Sequence, residues 1–179
     1  DTSIGFYSQD AKGMTCWGGA DFDAHDPNES KRRKEIAELF RSAVRTFGAL
    51  AAAFPEALVI FEASGQGFHL FLIRMERVAV SEMHDAIRDV VRKGGGNGVE
   101  VVPSSRVCKV GKALRAPGTW NPAVDANSMI LGVAWPSEVD GQLDQSWWLA
   151  GTSPKLPERD FVLSVLFRAT NDRSEEHTS

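Results

Sequence analysis

Cysteine is scarce in this 179-residue chain, which contains only Cys16 and Cys108. Two cysteines do not make a disulfide framework, so we expect a reducing, cytoplasmic setting. They also do not make a zinc knuckle, because such a site takes four Cys or His ligands at close spacing, and no zinc is expected. Long apolar runs are missing as well. No stretch reaches the about 18 residues that a membrane-spanning helix needs, so we expect no membrane partner.

Strong charge of one sign is also absent, since the formal net charge is −4. The whole chain is therefore not a generic binder of polyanions. Apolar residues make up 42% of the sequence, which is enough for a real core. We expect one domain over residues 1–172. The polar end, residues 173–179, resembles the translation of a sequencing adapter, so we expect a non-native tail there and further domains missing downstream.

The hydrophobic pattern predicts the element order β-α-β-β-α-β between residues 14 and 102. This order is typical of an α+β, ferredoxin-like fold with an antiparallel sheet, the core that RNA-recognition domains also use. Additional strands and a closing helix are predicted toward the C-terminus. The predicted strands are Met14–Asp23, Leu58–Glu62, Phe68–Arg74, Val99–Val102, Met129–Trp135 and Trp147–Ala150, and the predicted helices are Glu29–Phe54, a second helix capped by Ser81, and Asp160–Arg168.

Asp21 and Asp23 end the first predicted strand and point to the same face, because side chains alternate along a strand. Two neighbouring carboxylates repel each other, and a divalent cation relieves that repulsion. If the apolar residues of each strand face the helices, His69 and Glu100 point to the same face as the aspartates. Asp21, Asp23 and Glu100 are therefore predicted to be the catalytic metal ligands of a site that holds two Mg²⁺ or Mn²⁺ ions about 3.5–4 Å apart.

A glycine turn and a basic segment supply the predicted contacts to phosphate. The backbone of Ser64, Gly65 and Gly67 can approach phosphate oxygens closely, and His69 lies at the end of this turn. The segment from Ser104 to Trp120 contains four cations and no acid. Its residues Lys112 and Arg115 are predicted to bind nucleotide, as are the turn residues, while Arg106 and Lys109 are predicted to bind nucleic acid.

In order along the chain, these motifs resemble the catalytic core of the archaeo-eukaryotic primase superfamily, the primase-polymerases. The resemblance covers residues 14–121 and rests on Asp21-Phe22-Asp23, on the turn from Ser64 to His69, on Val99-Glu100, and on the phrase Leu-Arg-Ala-Pro-Gly-Thr at 114–119. It implies a palm core and template-directed synthesis from nucleoside triphosphates, with His69 binding the triphosphate. It also implies a single-stranded DNA template and a fused or associated helicase of a phage, mobile element or bacterial conflict system.

The sequence departs from the family pattern at two positions. The third acid is often Asp in the family and is Glu100 here. The second motif is often Ser-x-His, whereas Gly67 holds that serine position here and Ser64 lies further upstream.

Several other interpretations remain open. An Asp-x-Asp strand end recurs in glycosyltransferases and haloacid-type phosphatases, and the glycine turn can simply be a β-hairpin with a solvated histidine. A palm-type cyclase is disfavoured because the hairpin carries no acid. A replication-initiator nickase is excluded because Tyr7 is the one tyrosine and no His-x-His pair exists. A catalytically silent module that binds single-stranded nucleic acid is the main alternative.

Overall fold

The computed structural model describes residues 5–7, 12–104, 113–115 and 117–136. Several predictions fall outside these residues. They are the strand Trp147–Ala150, the helix Asp160–Arg168, the tail 173–179, and the predicted cationic contacts Arg106, Lys109 and Lys112.

The described residues form an α+β fold. The elements are β1 Gly5–Tyr7, β2 Met14–Asp23, α1 Glu29–Ala53, β3 Leu58–Ala63, β4 Gly67–Ala79, α2 Val80–Lys93, β5 Glu100–Val102, β6 Ala113–Arg115, β7 Trp120–Asn121, β8 Ala126–Asn127 and β9 Met129–Ala134. Five of the strands form an antiparallel sheet with the order β5-β2-β4-β3-β9. The central neighbours β2 and β4 and the flanking β5 are compatible with a ferredoxin-like core, so the predicted element order is confirmed. Two short ribbons, β1-β6 and β7-β8, accompany the sheet. None of the helices in these ranges has the length and apolar character needed to cross a membrane.

Aromatic side chains fill the space between α1 and one face of the sheet. Phe40 of α1 lies with its ring centroid 6.1 Å from that of Phe61 and 5.4 Å from that of Phe68. Phe47, two turns further along the helix, lies 5.9 Å from Phe61. Offset and tilted aromatic pairs at these distances stabilise a core beyond the area they bury. This contact fixes which face of the sheet the helices cover.

Helix α2 covers the same face at β2, and Gly18 allows it to come close. A Cβ atom at Gly18 would lie 2.6 Å from Cδ1 of Ile87 and 2.8 Å from Cγ of Met83. Because Gly18 points toward the helices, Gly19 and Asp21 point away from them. The opposite face of β2 therefore carries the acidic motif.

The predicted start of α1 is confirmed. Asn28 is the N-cap, and its side chain accepts a hydrogen bond from the N–H of Lys31 at 3.1 Å.

The predicted Ser81 cap of α2 is wrong. Helix α2 begins at Val80 with Ala79 as N-cap and no side-chain cap. Strand β4 continues to Ala79, well beyond the predicted end at Arg74, because it pairs with the whole length of β2 as far as Met14.

The turn between β3 and β4 is a tight hairpin closed by its own serine. Gly65 has φ +94°, a left-handed conformation that favours glycine. The N–H of Gly67 donates to Oγ of Ser64 at 3.0 Å, and the N–H of Ser64 donates to the carbonyl of Gly67 at 2.9 Å. A Cβ at Gly67 would lie 1.9 Å from the carbonyl oxygen of Phe22 on β2. The glycines of this motif thus have structural reasons of their own.

We expect Gly67→Ala to destabilise the protein by about 1–3 kcal/mol, because the added methyl group collides with paired backbone that has no free path away. Chemical denaturation monitored by tryptophan fluorescence measures this effect. Gly48→Ala is the matched control. Nothing lies within 4 Å of a Cβ at Gly48 in α1, and alanine favours a helix interior by up to about 1 kcal/mol. Equal stability of Gly67→Ala and the wild type would contradict the close approach of β4 to β2.

Candidate metal centre

The strand register lines up four ionisable side chains in one row across the sheet. Glu62 of β3 pairs with His69 of β4, His69 pairs with Asp21 of β2, and Asp21 pairs with Glu100 of β5. Directly paired residues on neighbouring strands share a face of the sheet. The row therefore lies on the face away from the helices, and the common face predicted for Asp21, His69 and Glu100 is confirmed.

Asp23 lies beside this row on the same face, because it follows Asp21 by two residues on β2. Ligand atoms of Asp21, Asp23 and His69 all lie within 4.8 Å of one another. Two carboxylate oxygens and one imidazole nitrogen form a donor set for a divalent cation, and the carboxylates suit Mg²⁺ and Mn²⁺. This buried group can hold a metal ion.

The electrostatics of Asp23 fit a cation at this position. Burial raises the pKa of the Asp23 carboxyl above its ordinary value, and the nearby charge of Asp21 raises it further. Both effects penalise the ionised form of Asp23. A bound divalent cation would relieve both of them, because it supplies positive charge where the two carboxylates converge.

His69 lies between two carboxylates and is 4% exposed. Its Nε2 is 3.4 Å from Oδ1 of Asp21, and its Nδ1 is 2.7 Å from Oε1 of Glu62. Burial alone would lower the pKa of His69, but the interactions with Asp21 and Glu62 outweigh it and raise the pKa to about 9. In the metal-free protein at neutral pH, the imidazolium therefore offsets part of the negative charge of the row.

Glu62 is the functional candidate that the sequence analysis missed. It is fully buried, with an exposed fraction of 0%. Its Oε2 accepts hydrogen bonds from the N–H of Gly118 at 3.1 Å and from Oγ of Ser128 at 2.9 Å. The signal that could have found Glu62 is the hairpin itself, because a turn closed by Ser64 and Gly67 places residue 62 opposite residue 69.

Exposure rises along the row from one end to the other. Glu62 is 0% exposed, His69 4% and Asp21 8%, while Glu100 is exposed to solvent. The row therefore lies in the core at the Glu62 end and meets solvent at the Glu100 end. Glu100 lies opposite Asp21, at a Cβ–Cβ separation of about 5 Å for such a pair, but it is outside the three-residue group of ligand atoms. Its metal-binding role stays a prediction.

The remaining predicted site residues have different settings. The hydroxyl of Ser64 is used by the turn, and Ser64 is buried. Arg115 lies on β6, opposite Gly5 of β1. Its Nε is buried and has no hydrogen-bond partner within the described part of the chain. The neighbouring Leu114 lies over Gly19, with its Cδ1 2.9 Å from a Cβ placed there. Strand β6 therefore places Leu114 on the acidic face of β2, two residues before Asp21.

Comparison with known proteins adds no family assignment. No protein-family model matches this sequence, and none of the curated proteins matches it.

Proposed function

We propose that this chain contains the catalytic domain of a primase-polymerase, with an RNA-recognition-like palm, that joins nucleoside triphosphates on a nucleic-acid template using divalent metal ions. One observation carries the proposal. Asp21, Asp23 and His69 have ligand atoms within 4.8 Å of one another, on the face of a ferredoxin-like sheet that the helices leave uncovered. Glu100, the third acid of the resemblance, is paired with Asp21 at the solvent end of the same row.

Asp21 and Asp23 would hold Mg²⁺ or Mn²⁺, with Glu100 reaching the same region from the neighbouring strand. Such cations stabilise the charge that develops on the phosphoryl oxygens and align the attacking and leaving oxygens. The chain itself supplies fixed positions, because Asp21 and His69 belong to paired, buried strand backbone. Fixed ligands do not have to reorganise during the reaction. This preorganisation supplies most of the rate enhancement of a site that acts through electrostatic stabilisation.

His69 presents one ring nitrogen to this site. Its Nδ1–H donates to Glu62, so Nε2 is the atom that faces Asp21. Nε2 can ligate a cation when it is unprotonated, or donate to a phosphate oxygen when it is protonated. Either use agrees with a histidine that binds the triphosphate of an incoming nucleotide, as the family resemblance implies.

The approach of substrate follows from the exposure of the row. Glu62 is enclosed at one end and Glu100 meets solvent at the other, so nucleotide and single-stranded template would arrive from the side of Glu100 and Asp23. Of the cationic side chains predicted to contact phosphate, Arg115 on β6 is the one that lies within the described residues. Its guanidinium suits bidentate binding of phosphate.

The proposal is tested by extension of a labelled primer on single-stranded DNA templates of defined sequence. Ribo- and deoxynucleoside triphosphates are supplied separately, with Mg²⁺ or Mn²⁺. We expect products that lengthen only with divalent cation, that stop with EDTA, and that follow the template sequence. Primer-free reactions on the same templates measure initiation.

A catalytically silent binding module gives the opposite result. Tight binding of single-stranded DNA that EDTA does not change, together with no extension under any of these conditions, would support that module and overturn the proposal. An acidic cluster aimed at a phosphate backbone disfavours such binding on electrostatic grounds, because binding to nucleic acid depends on cationic contacts to phosphate.

A further inference from the structure

Glu62 takes no part in the chemistry proposed above, yet it is a fully buried carboxylate in contact with the site. We propose that Glu62 is a positioning residue, held in place by Ser128 and Gly118, that fixes the ring of His69 so that Nε2 faces the Asp21–Asp23 metal site. Its consequence for catalysis rests on the proposed function. Its consequences for the ring of His69 and for metal binding do not.

Both oxygens of Glu62 are engaged. Oε1 accepts from Nδ1 of His69 at 2.7 Å, and Oε2 accepts from Oγ of Ser128 at 2.9 Å and from the N–H of Gly118 at 3.1 Å. A carboxylate held on both oxygens has one orientation, and three donors repay the cost of burying its charge. We refer to Glu62, Ser128 and Gly118 as the clamp.

The clamp determines which nitrogen of His69 is available. Since Nδ1 carries the proton that Glu62 accepts, the lone pair or second proton resides on Nε2, next to Asp21. Metal-binding histidines almost always donate their other ring N–H to a carboxylate, a backbone carbonyl or water, and mutation of such a partner typically lowers metal affinity or activity 10- to 100-fold. Glu62 lies at the enclosed end of the row, so it acts through His69 rather than on substrate.

The two donors of the clamp come from one small unit late in the chain. Gly118 belongs to the phrase Leu-Arg-Ala-Pro-Gly-Thr, and the N–H of Ser128 donates to the carbonyl of Thr119 at 3.0 Å. The residues of this unit are therefore hydrogen-bonded to one another as well as to Glu62. The structure thus gives this phrase a role beyond cationic contact, because its backbone holds the acid that orients His69.

The test compares three full-length variants. Ser128→Ala removes one donor of the clamp, and Glu62→Gln keeps the shape of Glu62 but removes its charge and sets an amide NH₂ among donors. Ser42→Ala is the matched control, because Ser42 is also a buried serine whose hydroxyl makes a hydrogen bond, there to the carbonyl of Gly94 and on the helical side of the sheet. All three are expected to lose some stability, so stability alone does not decide.

Two readouts are independent of catalysis. The first is the proton resonance of the His69 Nδ1–H in the metal-free protein, assigned by its loss in His69→Gln. The second is Mn²⁺ affinity, measured from the electron paramagnetic resonance signal of free Mn²⁺. We expect a slowly exchanging Nδ1–H in the wild type and in Ser42→Ala, faster exchange in Ser128→Ala, and loss in Glu62→Gln. We expect Mn²⁺ to bind about 10- to 100-fold more weakly to Glu62→Gln and about 10-fold more weakly to Ser128→Ala.

Wild-type Mn²⁺ affinity in both clamp variants would overturn the inference, as would an equal loss in Ser42→Ala or a wild type that binds no Mn²⁺. If Glu62→Gln does not fold, Ser128→Ala decides the matter alone. Weaker Mn²⁺ binding and faster exchange in a protein that makes no product would support the clamp and contradict the proposed function. Unchanged binding in a protein that does synthesise DNA would contradict the clamp alone.

Discussion

Asp21→Asn and Asp23→Asn are each expected to lower templated synthesis by about 10³-fold or more without unfolding the domain. Cation binding at phosphoryl oxygens contributes several kcal/mol to transition-state stabilisation, and each 1.4 kcal/mol is a factor of ten in rate. An amide keeps the size of the carboxylate but removes the charge that holds the cation. Single-turnover primer extension at saturating nucleotide measures the loss, and circular dichroism checks the fold.

The electrostatics of Asp23 provide an internal check on this interpretation. Because burial and Asp21 raise the pKa of Asp23, the ionised carboxylate destabilises the metal-free fold at neutral pH. Asp23→Asn should therefore melt at a higher temperature than the wild type in EDTA, although it is inactive. A variant that loses activity and gains stability has lost a ligand rather than a structural contact.

Asp89→Asn is the control for the loss of one negative charge. Asp89 lies on the solvent side of α2, where it forms an exposed pair with Arg92 at 3.6 Å. Pairs of this kind contribute about 0–1 kcal/mol to stability, so activity and melting should stay near those of the wild type. Synthesis by Asp23→Asn within about ten-fold of the wild type would contradict the metal assignment, since the several kcal/mol expected from the cation correspond to a much larger loss.

The acidic face of the sheet could be predicted from the sequence, because it depends only on the alternation of side chains along each strand. Phe22 is apolar and is expected on the side of the helices, which places Asp21 and Asp23 on the opposite side. The same argument at Phe68 and at Val99 places His69 and Glu100 on that face. The register of β2 with β4 and β5 agrees. The order of the four core strands also follows from the predicted ferredoxin-like topology, whereas the place of β9 beside β3 does not.

The clamp could not be predicted from the sequence, because its two donors are remote from Glu62 along the chain. Gly118 and Ser128 lie 56 and 66 residues beyond Glu62, and Gly118 contributes a backbone N–H that no side-chain motif encodes. The hairpin predicts that Glu62 lies opposite His69, but nothing in the sequence indicates that Ser128 donates a hydrogen bond to it. The N-terminus of α2 was misassigned for a related reason. Pairing of β4 with distant Met14 decides where β4 ends, and the local cap signal of Ser81 does not.

A rise in pH is expected to destabilise the metal-free protein through His69. The pKa of His69 is raised from 6.5 to about 9 in the fold. The contribution of this group is therefore complete below pH 6.5, declines between pH 6.5 and 9, and is gone above 9. The difference between the two pKa values corresponds to about 3 kcal/mol, a large part of the stability of a small domain. The raised pKa of Asp23 acts in the same direction from a lower pH upward.

Denaturation in EDTA at a series of pH values measures this slope, and His69→Gln removes the group that causes it. The difference in unfolding free energy between the wild type and His69→Gln should shrink by about 3 kcal/mol from pH 6 to pH 10. Saturating Mn²⁺ should reverse the trend, because a cation competes with the proton for Nε2 and binds better as the pH rises. A difference between the two proteins that stays constant with pH in EDTA would mean that the proton of His69 is not held between Asp21 and Glu62. Another positive charge would then have to offset the carboxylates of the row. Binding of the cation would also not depend on pH through His69, because no proton on Nε2 would compete with it.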